Sequence, residues 1–253
     1  MFSYYGKLST ELYDFTKPIG HSLDGDIEYY MERLSGCEGK ILEAGVGSGR
    51  LFIPFLEAGF KIEGIDNSKE MLASCRRSCE ERGLYPELYE GNLQKFSLPA
   101  SYDAIILPTG SFSLLENRED SLAALDSFYH HLNPGGRLIL DLFLPGNFIA
   151  GERTLSAFTL PDGDGITLER NSVEIDWLNQ KTVTYLKYEK WREGRLIDTE
   201  LQKFSLRWYG VEEFKLVLEK AGFTGITCSS NYKYGQEPTV ADQMLTFEAV
   251  KKD

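Results

Sequence analysis

The chain has 253 residues, 42% of them apolar and 26% charged, which suits one large globular domain or one domain carrying an insertion. Its 39 acids against 27 bases leave a formal net charge of −12. That balance argues against nucleic acid or anionic membrane as partner, since both demand basic patches, and it favours small-molecule chemistry.

The first 40 residues are rich in tyrosine (Tyr4, Tyr5, Tyr13, Tyr29, Tyr30), and residues 24–34 read as a helix closed by Gly36 and Gly39. Residues 40–46 then read as a buried strand, and 50–58 as a short helix ending at Gly59, with Pro54 early enough to be tolerated. A second strand at 60–66 leads to a helix at 68–82, with Ser68 as N-cap and Gly83 as stop. Strands follow at 86–90 and 102–107. A helix at 118–132 is closed by Asn133-Pro134-Gly135-Gly136, and a fifth strand covers 137–143. Alternation of this kind predicts a doubly wound α/β fold with a parallel sheet and right-handed crossovers.

At Pro145 the rhythm changes. Residues 151–209 carry no helical period. Val173, Ile175 and Trp177 alternate with acids, 181–191 is a second strand after the turn at Asn179-Gln180, and Phe204, Leu206 and Trp208 alternate again after Glu193-Gly194. Period two between turn residues predicts an inserted antiparallel β-meander. A helix at 211–220 stopped by Gly222, and strands at 223–232 and 243–251 forming an antiparallel pair, return the chain to the first sheet. The predicted organisation is therefore a core of 1–150 and 210–253, with an N-terminal helical cap, and an insertion at 151–209.

Neither a signal-peptide pattern nor a run of about 18 apolar residues occurs, so a cytoplasmic protein is expected. The four cysteines form no Cys-x-x-Cys pair. Cys75 and Cys79 lie at i, i+4, and with three histidines lacking ligand spacing no metal is expected.

The stretch ILEAGVGSGR, residues 41–50, carries the most chemistry. The first strand runs into Glu43, and glycines at 45, 47 and 49 allow positive φ and close approach of backbone to ligand. A dinucleotide turn needs a third glycine where Arg50 stands, and no Gly-Lys-Ser/Thr follows to make a P-loop. Asp66, ending the second strand 19 residues after Gly47, suits a ribose in either nucleotide class.

The pattern E-x-G-x-G-x-G resembles class I S-adenosylmethionine-dependent methyltransferases of the small-molecule type. The resemblance continues through Asp66, Asn67, Met71, Gly91-Asn92-Leu93, Leu107-Pro108-Thr109-Gly110 and the Leu132–Gly136 turn. It implies a seven-stranded, mostly parallel Rossmann-like sheet and S-adenosyl-L-methionine as cofactor. It further implies that Gly45, Gly47 and Gly49 pass under the cofactor's methionine and ribose, and that Asp66 accepts from both ribose hydroxyls. Asn67, Met71, Asn92 and Leu93 would surround the adenine, and Leu107 and Pro108 would line the cofactor. Asn92 stands where the family often has aspartate, and its side-chain carbonyl can accept the same bond. Glu43 either ties the loop or meets the cofactor's ammonium.

Thr109, Ser111 and Phe112 are candidate acceptor-pocket residues, with Trp208 from the insertion. Tyr13 is a candidate to cover the sulfonium, Lys17 to meet the carboxylate, and His21 or Tyr13 to act as base; His130 and His131, at a helix end, are set aside. The insertion, rich in aromatics (Trp177, Tyr185, Tyr188, Trp191, Trp208), resembles β-insertions of methyltransferases acting on amino-sugars, which cap the acceptor or form a homodimer. Methyl transfer to a small-molecule nitrogen or oxygen is the expected activity. A protein binding the cofactor without turnover would share these residues. The charge and the lack of an Asn/Asp-Pro-Pro-Tyr/Phe tetrapeptide count against a protein or RNA substrate.

Overall fold

The computed structural model describes residues 4–252. Two helices, α1 (Lys7–Thr16) and α2 (Asp26–Leu34), precede β1 (Ile41–Ala44). Then α3 (Phe52–Glu57), β2 (Ile62–Asp66), α4 (Lys69–Glu80), β3 (Leu88–Glu90), β4 (Tyr102–Leu107), α5 (Arg118–His131) and β5 (Leu132–Leu142) follow in alternation. Four strands, β6 (Arg153–Thr159), β7 (Gly165–Asp176), β8 (Lys181–Arg192) and β9 (Arg195–Arg207), form a separate antiparallel sheet in sequential order. After α6 (Val211–Lys220), β10 (Phe223–Ser230) and β11 (Leu245–Lys251) join the first sheet, whose order is β10-β11-β5-β4-β1-β2-β3. β1 to β5 pair in parallel, and β10–β11 and β11–β5 pair antiparallel.

The central strands are apolar because helices cover both faces. Ile41, Leu42, Ile105, Ile106, Leu138, Ile139 and Leu140 are buried. Ser68 caps α4, its Oγ accepting from the Met71 N–H at 3.1 Å. One boundary departs from the sequence reading. Asn133 to Gly136, read as a turn, lies inside β5, and its register against β4 jumps from Tyr102↔Leu132 to Ala104↔Arg137. The parallel pairing resumes beyond Pro134, which cannot donate to a ladder, and the intervening residues bulge.

In the second sheet β6 went unrecognised in the sequence because nearly all of it is exposed and its pattern lacks alternation. Val173 falls at the β7 bulge between Ser172 and Glu174, which breaks the strict alternation. The inner face of this sheet meets α1: Leu8 and Leu12 pack with Leu160, Ile166, Leu186 and Tyr188. On its other side α1 is tied to α4, where the Ser74 Oγ donates to Asp14 at 2.5 Å and the Ser68 Oγ to the Tyr5 carbonyl at 2.7 Å. α1 is thus a bridge between the two sheets. Among the described residues, no helix is long and apolar enough to cross a membrane.

Candidate cofactor cleft

β1 delivers the chain into three left-handed glycines, Gly45 (φ 77°), Gly47 (φ 55°) and Gly49 (φ 92°). Their surroundings differ. A Cβ on Gly49 would press on the Cys75 sulfur at 2.8 Å and on Ile53, so this glycine lets turn and helices close up. A Cβ on Gly47 would meet only the Met71 sulfur, at 4.0 Å, and one on Gly45 only Ser111. Those two glycines face open space.

The open space is a mostly apolar cleft, the usual character of a small-molecule site. Gly45, Gly47, Asp66, Asn67 and Met71 line it from the turn and the end of β2. Leu93 and Ser111 come from the loops after β3 and β4, and Tyr13 closes it from α1. Asp66 fixes the turn to β2: its two carboxylate oxygens accept from the Gly47 and Ser68 N–H groups, both at 2.8 Å. Burial raises its pKa, and those N–H bonds pull the other way.

Other candidates stand elsewhere. Glu43 lies beneath the turn, 3% exposed, with Oε2 lacking a hydrogen-bond partner. Burial pushes its carboxyl well above the usual range, against the pull of Arg50. Gly49 serves packing. Asn92 is exposed and pairs with Lys95 in a one-residue bridge, while its neighbours Gly91, Leu93 and Gln94 line the cleft. Leu107 and Pro108 are buried behind the loop. Thr109 donates its N–H to Asp141.

Phe112 is a core residue, fully buried between Tyr209 and Phe214. Trp208 is set against Trp177 and lines a second groove with Phe143, Pro145 and Phe148, where the two sheets meet. His21 is exposed; its N–H donates to the Pro18 carbonyl and its carbonyl accepts from Arg50. Lys17 lies over the Tyr13 ring, its ammonium 4.7 Å from the centroid, with its pKa lowered first by burial and then by Arg50 and Arg170.

Several lining residues were not singled out for the cofactor in the sequence. Tyr4 and Tyr5 join Tyr13 over the cleft, and Leu114 and Leu115 close its far side. Tyrosine density was the signal for the first pair; the leucines sit in an ordinary apolar run. Arg50, the residue that breaks a dinucleotide turn, is 4% exposed and paired with Asp26, itself fully buried. Nothing local in the sequence marks that partnership.

An acid-ended parallel strand, a left-handed glycine turn and an acid closing the next strand meet at this cleft, at the carboxyl edge of a seven-stranded α/β sheet. Residues 41–136 match the family described as a methyltransferase domain. Over 104 residues, 40% of the chain, the sequence is 38% identical to the glycine/sarcosine N-methyltransferase of Halorhodospira halochloris, and the matched part is 39% of that relative. The fold is shared with the sugar N-methyltransferase KedS8 from Streptoalloteichus sp. ATCC 53650, at TM-score 0.75 and 21% identity, covering 100% of this chain and 98% of that one. It is shared also with S-adenosylmethionine-bound CalS10, an amino pentose methyltransferase from Micromonospora echinaspora, at TM-score 0.68 and 20% identity over all of both chains. Together the family match and these likenesses support a class I S-adenosylmethionine-dependent methyltransferase with S-adenosylmethionine as its cofactor.

Proposed function

We propose that the chain methylates the amino group of a small molecule. The observation that carries this reading is the chemistry of the cleft wall. Its titratable side chains among the described residues are Asp66, already engaged with two N–H groups, and Tyr4, Tyr5 and Tyr13, whose phenols burial holds above their ordinary pKa. Neither type suits a base that must take a proton from an alcohol near neutral pH. A neutral amine needs none in the bond-forming step: its lone pair takes the methyl and the proton leaves afterwards to water.

The cofactor supplies an activated methyl on a sulfonium, so the protein's tasks are alignment and exclusion of water. In this reading Asp66 uses its remaining lone pairs for the ribose hydroxyls, and Gly45 and Gly47 pass under the methionine portion. Asn67, Met71 and Leu93 flank the adenine, Tyr13 covers the sulfonium, and Ser111 borders the entering amine. The amine-methylating relative and the amino-sugar enzyme of like fold support the same acceptor class. The net charge of −12 supports a small molecule over nucleic acid, and the four free thiols support a cytoplasmic setting.

The test is label transfer from methyl-labelled cofactor to a panel containing glycine, sarcosine and nucleotide-linked amino-sugars, each beside its hydroxyl analogue. Transfer to amines is expected, rising with pH as the acceptor loses its ammonium proton. Labelling of the hydroxyl analogues alone would overturn the reading, and binding of cofactor with no transfer at all would mark a protein without turnover.

The outer face of the second sheet supports a homodimer. Reading across it, Leu155, Glu169, Lys187 and Leu201 are consecutive register partners. The row is apolar, acidic, basic, apolar, a sequence that complements itself when turned about a two-fold axis.

A further inference from the structure

The fold buries a second carboxylate that the cofactor cleft does not use directly. Asp141, near the end of β5, is 0% exposed. Its Oδ2 accepts from the Thr109 N–H at 2.6 Å and the Tyr232 hydroxyl at 2.9 Å, and its Oδ1 from the Thr246 hydroxyl at 2.7 Å. The Tyr30 hydroxyl, on α2, faces the same carboxylate without closing a bond. Four elements therefore converge on one side chain: the loop after β4, α2, the β10–β11 connection and β11. Asp26 and Arg50 are charged groups that act on Tyr232, one of these partners.

Thr109 is the informative partner. Its φ is +55°, and Gly110 follows at +72°. A β-branched residue in the left-handed region is a true outlier, and such strain persists only where the surroundings impose it. The next residue, Ser111, lines the cofactor cleft and abuts Gly45 of the glycine turn. The position admits no side chain, since a Cβ on Gly110 would collide with the Phe143 ring at 2.2 Å. The Thr109 N–H is the one donor at Asp141 that cannot rotate to accept instead, so it is the bond most dependent on a charged acceptor.

We propose that Asp141, as a carboxylate, is a positioning residue that clamps the Pro108–Ser111 loop in its strained form against the glycine turn. The assignment rests on the methyltransferase reading of that cleft. Burial raises the Asp141 carboxyl to about 6, against the pull of its hydrogen bonds. A carboxylate raised in the folded state contributes stability only at low pH, and that contribution is lost as pH rises through about 6. Protonation leaves one acceptor oxygen and one donor, the pattern an asparagine would present.

The test is amide hydrogen exchange of residues 109–115 from pH 5 to pH 8, corrected for intrinsic rates, in wild type, Asp141→Asn and Asp141→Ala. Wild-type protection should fall by roughly tenfold on acidification, with a midpoint near 6. Asp141→Asn should hold the acid-form protection at every pH, and Asp141→Ala should be lower still. Affinity for S-adenosylhomocysteine at pH 8 should fall in the same order. A wild-type exchange profile in Asp141→Asn overturns the proposal, as does unchanged protection at pH 8 in that variant. If Asp141→Ala fails to fold, the asparagine arm decides alone. Wild type that binds no S-adenosylhomocysteine refutes the methyltransferase reading, and the exchange profile still judges the clamp.

Discussion

Asp66 has room for two sets of partners. A carboxylate offers about four acceptor sites, and the Gly47 and Ser68 N–H groups occupy two. Removing the carboxylate should therefore loosen the glycine turn and forfeit the ribose bonds together. Asp66→Ala is expected to weaken S-adenosylhomocysteine binding by about 1.5–3 kcal/mol, roughly ten- to a hundredfold, in calorimetry. Unchanged affinity would remove Asp66 from the site. Arg50 and Asp26 work differently. Their pair is buried with the Arg50 Nη1 also donating to the His21 carbonyl at 2.7 Å, so it pins the α2 entrance to the glycine turn. Breaking a buried pair from one side leaves a lone charge, a cost of about 3–5 kcal/mol. Arg50→Met should lower the melting temperature by roughly 6–20 °C for a chain of this size. A shift within a degree or two would show that Asp26 is satisfied without its partner.

At the scale of elements, α1 depends on a strand far away in sequence. Ten residues are too few for a helix to stand alone in water, and its N-cap, Gly6, has no side chain to offer. Glu200 of β9 supplies the cap, accepting from the Gly6 N–H at 3.2 Å, the Leu8 N–H at 2.8 Å and the Ser9 hydroxyl at 2.6 Å. Glu200→Ala should cost about 0.5–2 kcal/mol of helix stability, as typical caps do. Faster amide exchange over residues 7–16 is the expected signature, with weaker cofactor affinity because Tyr13 rides on this helix. Unaltered exchange would mean that Leu8 and Leu12 packing holds α1 without the cap. This dependence explains what the sequence could and could not disclose. The alternating strands and helices, the glycine turn, Asp66 and the Ser68 cap are local signals, and each was legible from neighbouring residues. The capping of α1 by Glu200, the Arg50–Asp26 pair and the convergence on Asp141 join distant segments, which no local period encodes. The apolar loop after β4 pointed to Phe112 as a pocket residue, and the aromatic-rich insertion pointed to Trp208. The fold turns Phe112 inward against Tyr209 and Trp208 toward the groove between the sheets.

For the whole molecule, the question is whether the second sheet meets another copy of itself. Four strands spaced about 4.8 Å and up to 13 residues long present a face of about 19 by 43 Å, close to the ~800 Å² per partner that a stable interface needs. Leu155 is 72% and Leu201 44% exposed on that face, and Glu169 and Lys187 stand between them. Within one chain the Lys187 Nζ is 3.9 Å from Glu169, a loose pairing in water that contributes little. Turned about a two-fold axis, a second copy would set Glu169 on Lys187 twice and Leu155 on Leu201 twice. With a net charge of −12 per chain, long-range repulsion opposes the approach, and salt should screen it. Sedimentation should therefore show a dimer that strengthens on moving from low to physiological salt. Lys187→Glu would face acid with acid at both contacts and yield monomer. The exchanged pair Glu169→Lys with Lys187→Glu restores the complement and should restore the dimer. A wild-type monomer at all salt concentrations would rule out the dimer, and a double variant no better than the single would place the two-fold contact elsewhere.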